Sequence, residues 1–386
     1  MPGKMAAADF EFGPQIGTGA FSKVVVGLYK PTGVRYAVKF ISKRSILDAP
    51  TDEERTRMAE VARRETRMLL ICDHPNIVKF HASMQTTEDL LYVTELCEGG
   101  ELLKHIERWG HIPLEAARHA IAELFSAVFY LHHGEKKCSA SPSGPVRKTL
   151  TVIHRDIKPE NVMLSADKHL RLIDFGTAVV CQSANDKAAG EETDSGRAKT
   201  FCGTTYYMSP ELLESSYTCC ASDYWGCGCV LYLMLVGQRP FDAPTQYLLI
   251  KTILEKEPEF PDDIDPDARD LIRKLLVKDP KARIGMKEVK CHPFLASVNL
   301  STVANQNVAD FWLRETPWID EAGISACMTC QRPFGILRSK GLCRSCGRIT
   351  CNSCVANLRI IPGARWKAPQ NVCTLCAGSL NGAPVS

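Results

Sequence analysis

The chain has 386 residues, 45% of them hydrophobic and 24% charged, with a formal net charge of +3. That length holds two or three domains with a sizeable core, and no apolar run approaches the roughly 18–20 residues that span a bilayer. The opening MPGKMAAADFEF has one lysine and no extended apolar stretch, which excludes a secretory signal; in the expected cytosol or nucleus, eighteen cysteines are not a disulfide framework.

Short β-type runs come first: FEFGPQIG from Phe10, KVVVGLYK from Lys23, VRYAVKFI from Val34, IVKFHASM from Ile77 and LLYVTEL from Leu90. A helical pattern runs from Thr51 to Ile71. After Glu101 the apolar spacing turns helical, in EAARHAIAELFSAVFYLHH and again in SDYWGCGCVLYLMLVG. Residues 134–151 and 182–199 are polar and apolar-poor and read as mobile surface insertions. The predicted fold class is therefore α+β, a strand-rich lobe followed by a helix-rich lobe with a cleft between them. Residues 296–323 read as a linker and 324–380 as a separate cysteine module. From Ile324 to Ser386 there are eight Lys/Arg and no Asp or Glu, so the tail is a basic knob on a mildly acidic body. Eight cysteines fall in that tail, and the other ten read as small buried hydrophobes.

GTGAFSKV at 17–24 is a glycine-rich turn between two predicted strands, where backbone N–H groups can approach phosphates. Alone it is weak. Ala37-Val38-Lys39 on the next strand follows it, then Glu65 on a helix, His154-Arg155-Asp156, Asn161, Asp174-Phe175-Gly176 and Ser209-Pro210-Glu211. Six elements in this order are not chance turns; they form the protein-kinase signature set, and the expected fold is the bilobal kinase fold. Phosphoryl transfer needs positioning and charge neutralisation more than covalent chemistry. On that basis Ile16, Gly17, Thr18, Gly19, Ala20, Phe21, Ser22, Lys23 and Val24 cover ATP. Lys39 holds its α- and β-phosphates while paired to Glu65. Asn161 and Asp174 hold Mg²⁺, Asp156 orients the attacking hydroxyl and takes its proton, and Lys158 neutralises the transferring phosphoryl. The wording RDIKPEN resembles serine/threonine kinases, in which a threonine at the place of Thr204 bonds Asp156 and Lys158. Glu211 is expected to pair with Arg283, and Asp223 to brace the catalytic loop. Thr94 stands at the rear of the adenine pocket, Glu95 and Cys97 offer hinge backbone, and Glu101 reaches the ribose.

DFGTA at 174–178, TFCGT at 200–204, SPELL at 209–213, YLLIKTI at 247–253 and FPDDIDPDARDLIRKLLVKDPKARIG resemble the AGC group. Within it, residues 10–295 are most similar to the 3-phosphoinositide-dependent protein kinases, whose serine at the third glycine position matches Ser22. The resemblance implies that Thr200 is a phosphosite in the activation loop, with Arg155 as its partner. It also implies that Lys43, Ile46, Leu47, Gln85 and Leu90 form a pocket for a partner's hydrophobic motif. Substrates are then AGC kinases in phosphoinositide-linked signalling; unrelated substrates, or a scaffold without catalysis, are the competing readings. No nucleic-acid partner is expected. Two departures matter: Thr66 replaces an arginine that binds phosphate beside the pocket, and the family's C-terminal pleckstrin domain is absent.

The tail cysteines form four CxxC pairs, Cys327/Cys330, Cys343/Cys346, Cys351/Cys354 and Cys373/Cys376, separated by twelve, four and eighteen residues. Four residues between the middle pairs are too few to close both on one metal. Pairs one and three on one Zn²⁺, with two and four on the other, relieve this and give closed Cys₄ sites. A redox role needs only one pair. CRSCGRITCNSC and the upstream WIDE (Trp318 to Glu321) resemble FYVE domains, which recognise phosphatidylinositol 3-phosphate. Arg338, Lys340 and Arg344 keep positive charge for an anionic membrane surface, whereas the family's paired histidines and last arginine are missing. Weak lipid binding, with peripheral placement on endosomal or other phosphoinositide-containing membranes, and protein docking both stand as readings of the module.

Overall fold

The apolar alternation beginning at Phe10 produces three antiparallel strands, β1 (Phe10–Thr18), β2 (Ser22–Tyr29) and β3 (Val34–Ser42). The computed structural model describes residues 5–19, 22–141, 144–181, 204–215, 217–308, 312, 324–335, 338–343, 348–355, 357–359 and 370–379. After β3 come a short helix, α1 (Lys43–Leu47), and α2 (Asp52–Ile71). The Thr51 hydroxyl accepts from the Glu54 N–H, and Asp52, Glu53 and Glu54 crowd the first turn of α2, where the helix dipole favours negative charge. β4 (Phe80–Gln85) and β5 (Asp89–Glu95) complete a five-stranded sheet ordered β1-β2-β3-β5-β4. Phe10, Val25, Val38, Leu91 and Val93 form one buried cluster on it. Ile41 and Tyr92 pack with Ala62 and so fasten α2 to the sheet.

Past the short β6 (Gly100–Glu101) the chain turns helical, with α3 (Leu102–Trp109) and α4 (Leu114–His133). The expected mobile insertion at 134–151 is instead a hairpin of β7 (Glu135–Ser141) and β8 (Gly144–Thr149), joined to β9 (Thr151–Ile153). A polar segment folds here because its ladder satisfies its own backbone. Lys136 is buried and donates from Nζ to the Tyr130, Leu131 and Gly134 carbonyls, which caps the end of α4. Composition alone carries no trace of that anchor. The other expected insertion, 182–199, lies outside the described residues.

β10 (Val162–Leu164) pairs with β6 and with β11 (Leu170–Leu172), while β12 (Val179–Cys181) pairs with β9. The rest of this lobe is α5 (Pro210–Ser215), α6 (Cys220–Val236), α7 (Gln246–Glu255), α8 (Pro266–Leu275) and α9 (Met286–Lys290). α6 is apolar all round and lies buried against α4 and α8, with Trp225 stacked on Phe241 at 5.6 Å. Of the eight described cysteines outside the tail, Cys181, Cys227 and Cys229 are buried and four are half-buried; Cys291 is exposed, against expectation.

The segment after Leu295, expected as a linker, packs on the helical lobe as far as it is described. Val298, Val303, Val308 and Trp312 are buried, the Ser126 hydroxyl donates to the Leu300 carbonyl, and Arg118 reaches Ser297. Its few apolar residues are spaced too irregularly to announce an element. In the tail, β13 (Lys340–Leu342) pairs with β14 (Ile349–Cys351), followed by α10 (Asn352–Val355). β15 (Asn357–Arg359) pairs with β16 (Gln370–Val372), and α11 (Thr374–Ser379) closes the module. No helix among the described residues is long and apolar enough to cross a membrane.

Candidate active site and zinc centres

The centre of the sheet positions Lys39, which lies opposite Tyr92 in the β3–β5 ladder. Its Nζ donates to both oxygens of Glu65 at 2.7 Å, so α2 is held against the sheet by a charged pair at the cleft. Burial opposes the charge on Lys39, but Glu65 and Asp174 outweigh it and raise its pKa, so the ammonium persists at neutral pH. In the β1–β2 turn the Gly19 N–H donates to the Ser22 carbonyl at 2.7 Å, and Thr18 pairs with Lys23 and Gly17 with Val24. Ile16 leaves 44% of its surface open. Ala20 and Phe21 lie outside the described residues.

The loop between β9 and β10 carries Asp156, Lys158 and Asn161. Asp156 accepts through Oδ2 from Lys158 Nζ at 2.7 Å and from Asn161 Nδ2 at 2.9 Å. Asn161 Nδ2 also donates to the Asp156 carbonyl, which keeps its own Oδ1 as an acceptor. Beneath the loop, Asp223 at the start of α6 is fully buried. It accepts the His154 and Arg155 N–H groups, each at 2.9 Å, and His132 Nε2 at 2.8 Å. Burial works against its charge, yet His132 and the loop amides hold its carboxyl below the usual range. Arg155 can then stand at φ 70, a strained backbone that the anchored amides hold in place. Sequence reading found Asp223 but not His132, whose only signal was a histidine pair closing an apolar helix. Glu211 meets Arg283 in a buried bidentate pair at 2.9 Å, with Ser222 donating to the same carboxylate. Breaking such a pair costs about 3–5 kcal/mol because one buried charge is left alone.

Asp174 begins the turn after β11 at φ 60, with Oδ1 accepting from the Gly176 N–H at 3.1 Å. Phe175 is fully buried, edge-on to His154 at 5.0 Å. Asp174 and Asn161 offer hard oxygen donors of the kind Mg²⁺ takes. Along the cleft's rear edge Thr94 pairs with Ala37 and Phe80, and Glu95 accepts from Arg171 Nε at 2.6 Å, a partner the sequence did not announce. Burial pushes the Cys97 thiol up to about 12, which keeps it neutral. Glu101 accepts from Lys104 at 2.9 Å. Thr200 and the side chain of Thr204 lie outside the described residues; Arg155 Nε donates to the Thr177 carbonyl.

On the other side of α2, Lys43 Nζ donates to Gln85 Oε1 at 3.0 Å and to the Thr86 carbonyl at 2.6 Å. Ile46 and Leu90 border the Ile41–Ala62–Tyr92 cluster, while Leu47 is 63% exposed. Thr66 turns its hydroxyl back to the Ala62 carbonyl within its own helix, so it offers nothing to a phosphate.

The tail thiols gather into two groups. Cys327, Cys330, Cys351 and Cys354 lie with all sulfurs within 4.8 Å of one another, and Cys343, Cys373 and Cys376 do the same; Cys346 lies outside the described residues. Cys330 Sγ and Cys351 Sγ are 3.8 Å apart. Tetrahedral ligands at a Zn–S distance of about 2.3 Å stand about 3.8 Å apart, so the spacing fits zinc. The Thr329, Cys330 and Cys351 N–H groups point at Cys327 Sγ, and the Cys373 N–H at Cys343 Sγ. Against burial, these amides draw the Cys327 thiol down to about 6, while burial and its thiol neighbours push Cys354 up to about 12. Four sulfurs in one place cannot all ionise without a cation, and the two sites suit two Zn²⁺ ions. Lys340 on β13 sets its Nζ 5.6 Å from the Phe334 ring centroid, and Arg338 closes the turn before it. A Cβ on Gly341 would stand 2.6 Å from Val355 Cγ1, so no larger side chain fits at that place beside Lys340. Trp318 to Glu321 and Arg344 lie outside the described residues.

Comparison with known families agrees with both halves. A protein kinase domain model matches residues 10–295, and a FYVE zinc finger model matches residues 317–382. The chain is similar to 3-phosphoinositide-dependent protein kinase 1 of Homo sapiens, 36% identical over 311 residues, covering 79% of this chain and 50% of that protein. The Arabidopsis thaliana protein of the same name is 35% identical over 303 residues, covering 77% and 57%. Serine/threonine-protein kinase PKH2 of Saccharomyces cerevisiae is 30% identical over 333 residues, covering 86% and 28%. The chain thus spans about half the length of the first of these relatives.

Proposed function

Because the chain belongs to the protein kinase family and carries a FYVE zinc finger, we propose that it transfers the γ-phosphoryl of ATP to serine or threonine, and that its substrates are activation loops of AGC-group kinases. The Lys39–Glu65 pair, closed at 2.7 Å on both oxygens, carries this reading, since a catalytically idle lobe has no need of that desolvated pair. Lys39 holds the non-transferred phosphates, and Asp156 orients the substrate hydroxyl and receives its proton. Lys158, already 2.7 Å from Asp156, offsets charge on the moving phosphoryl. Asn161 and Asp174 would hold Mg²⁺, which would supply charge neutralisation at the phosphates. Lys43, Ile46, Leu47, Gln85 and Leu90 receive the substrate's hydrophobic motif. Because Thr66 is turned inward, docking there rests on apolar contact more than on phosphate. A peptide carrying an activation-loop sequence is expected to show a KM about tenfold or more lower when a hydrophobic motif is linked to it. Steady-state assays of the two peptides decide this: equal KM values, or transfer to tyrosine alone, would overturn the reading.

The finger is proposed to bring the kinase weakly to phosphoinositide-bearing membranes such as endosomes, through Arg338, Lys340 and Arg344. Basic contacts at a surface contribute about 1 kcal/mol each and are screened by salt. The missing paired histidines argue for poor discrimination among headgroups. The full chain is expected to sediment with anionic liposomes at low salt and to release at high salt, and Lys340→Ala to weaken it about fivefold. Equal behaviour on neutral vesicles would assign the finger to protein docking instead.

A further inference from the structure

We infer that Trp312 is a positioning residue for the nucleotide site, docking the segment after the helical lobe onto α3 and so holding the hinge in place. This rests on the kinase reading. Trp312 lies beyond residues 10–295, yet it is only 4% exposed. Its ring stands 5.8 Å from His105, at 64°, and 6.2 Å from Trp109; His105 and Trp109 are themselves 5.3 Å apart at 72°. The three rings form one cluster in which both tryptophans meet His105 edge-to-face, the arrangement aromatic quadrupoles favour, and each other at a tilt of 43°.

His105 links this cluster to the hinge. Its Nε2–H donates to the Gly99 carbonyl at 2.7 Å, an acceptor that fixes the tautomer. Burial lowers its pKa to about 4, so the ring is neutral and the bond does not come and go near neutral pH. Gly99 has no freedom on its other side: a Cβ there would stand 2.3 Å from the Ser165 carbonyl and 2.6 Å from that of Leu164. Gly100 follows at φ 82 and Glu101 pairs with Met163 on β10. The stretch that offers Cys97 and Glu101 to the nucleotide is therefore gripped from below by β10 and from the side by His105. What presses His105 into place is Trp109 from its own helix and Trp312 from outside the lobe.

The path of the segment supports a latch. From Leu295 it runs along α4, tied by Ser297 to Arg118 and by the Leu300 carbonyl to Ser126, with Val298 and Val303 buried on the way. Among the described residues of that run, Trp312 is the farthest along, and its ring meets His105 and Trp109 of α3. Losing it removes the outer wall of the His105 site, while the hydrogen bonds that hold Asp156, Asn161 and Asp223 involve no residue of α3. The expected signature is a change in nucleotide affinity with little change in the chemical step.

Steady-state kinetics of the full chain at varied ATP test this, with Trp312→Ala and Trp312→Phe compared to the unaltered protein. Trp312→Ala is expected to raise KM for ATP roughly fivefold while kcat moves less than about twofold, and Trp312→Phe to restore most of the loss. A KM unchanged in Trp312→Ala, or a fall in kcat at constant KM, overturns the inference. Should Trp312→Ala fail to fold, titration of tryptophan emission with a non-hydrolysable ATP analogue decides. A nucleotide-dependent change that disappears in Trp312→Phe supports the latch, and identical titrations refute it. Absence of phosphoryl transfer in the unaltered chain would instead strike the kinase reading, which the binding titration does not need.

Discussion

Asp156→Asn is expected to lower the rate of phosphoryl transfer by about 10³-fold, within the 10²–10⁴-fold range that a positioned general base supplies. The substitution is nearly isosteric. Asn161 donates to the Asp156 carbonyl as well as to Oδ2, so the loop keeps one of its two ties, and the Asp223 anchor beneath it is unaffected. What is lost is an oxygen that can take the substrate proton and the charge that holds Lys158 at 2.7 Å. Nucleotide affinity should stay within about twofold, because Lys39 and Glu65 lie on another element. Single-turnover transfer measured beside nucleotide titration separates the two effects. More than about 1% of residual transfer, with nucleotide binding intact, would remove Asp156 from the role of base.

The catalytic set was legible because its polar members recur in a fixed order, several of them beside short local marks. Lys39 follows two apolar strand residues, and Asp174, itself at φ 60, precedes a buried phenylalanine and a glycine whose N–H it accepts. Chemistry of this kind leaves local marks. The interleaving of thiol pairs was legible for a similar reason, since four residues cannot lead the middle pairs to one metal, and the sulfurs divide accordingly. The supports left no such marks. Lys136 caps α4 from within a polar stretch, His132 orients Asp223 across ninety-one positions, and Arg171 reaches Glu95 across seventy-six. Each is decided by packing between elements that lie far apart in the chain, and neither composition nor periodicity carries that information. Trp312 is the clearest instance. Phe311-Trp312-Leu313 repeats at no helical or strand spacing, so the segment reads as a linker, and only the ring cluster on α3 gives Trp312 a place.

Removing zinc is expected to unfold the finger as one unit while the kinase lobes remain folded and active. Among the described residues the only apolar side chains the module buries are Ile349, Val355 and Val372, beside the ligand cysteines Cys327, Cys343, Cys351 and Cys373. A core of that size cannot offset the ordering entropy of about sixty residues, whereas a structural Zn²⁺ contributes about 10–16 kcal/mol of folding free energy. Interleaving makes the two sites depend on each other. Cys343 of the second group lies in the chain between Cys330 and Cys351 of the first, and it directly follows β13, whose partner strand β14 ends on Cys351. Cys351→Ser should therefore release both ions instead of one. It also withdraws the sulfur 3.8 Å from Cys330 and disturbs the end of β14, whose N–H supports Cys327. Metal content by elemental analysis, read together with the rate of phosphoryl transfer, tests this. Intact protein should hold two zinc ions and the variant close to none, with kcat changed less than about twofold. Fewer than two ions in the intact chain would refute the paired sites, and one ion tightly retained in Cys351→Ser would show that the sites fold separately. A fall in transfer that tracks zinc loss would mean that the finger supports the lobes directly, against the independence that their separate cores imply.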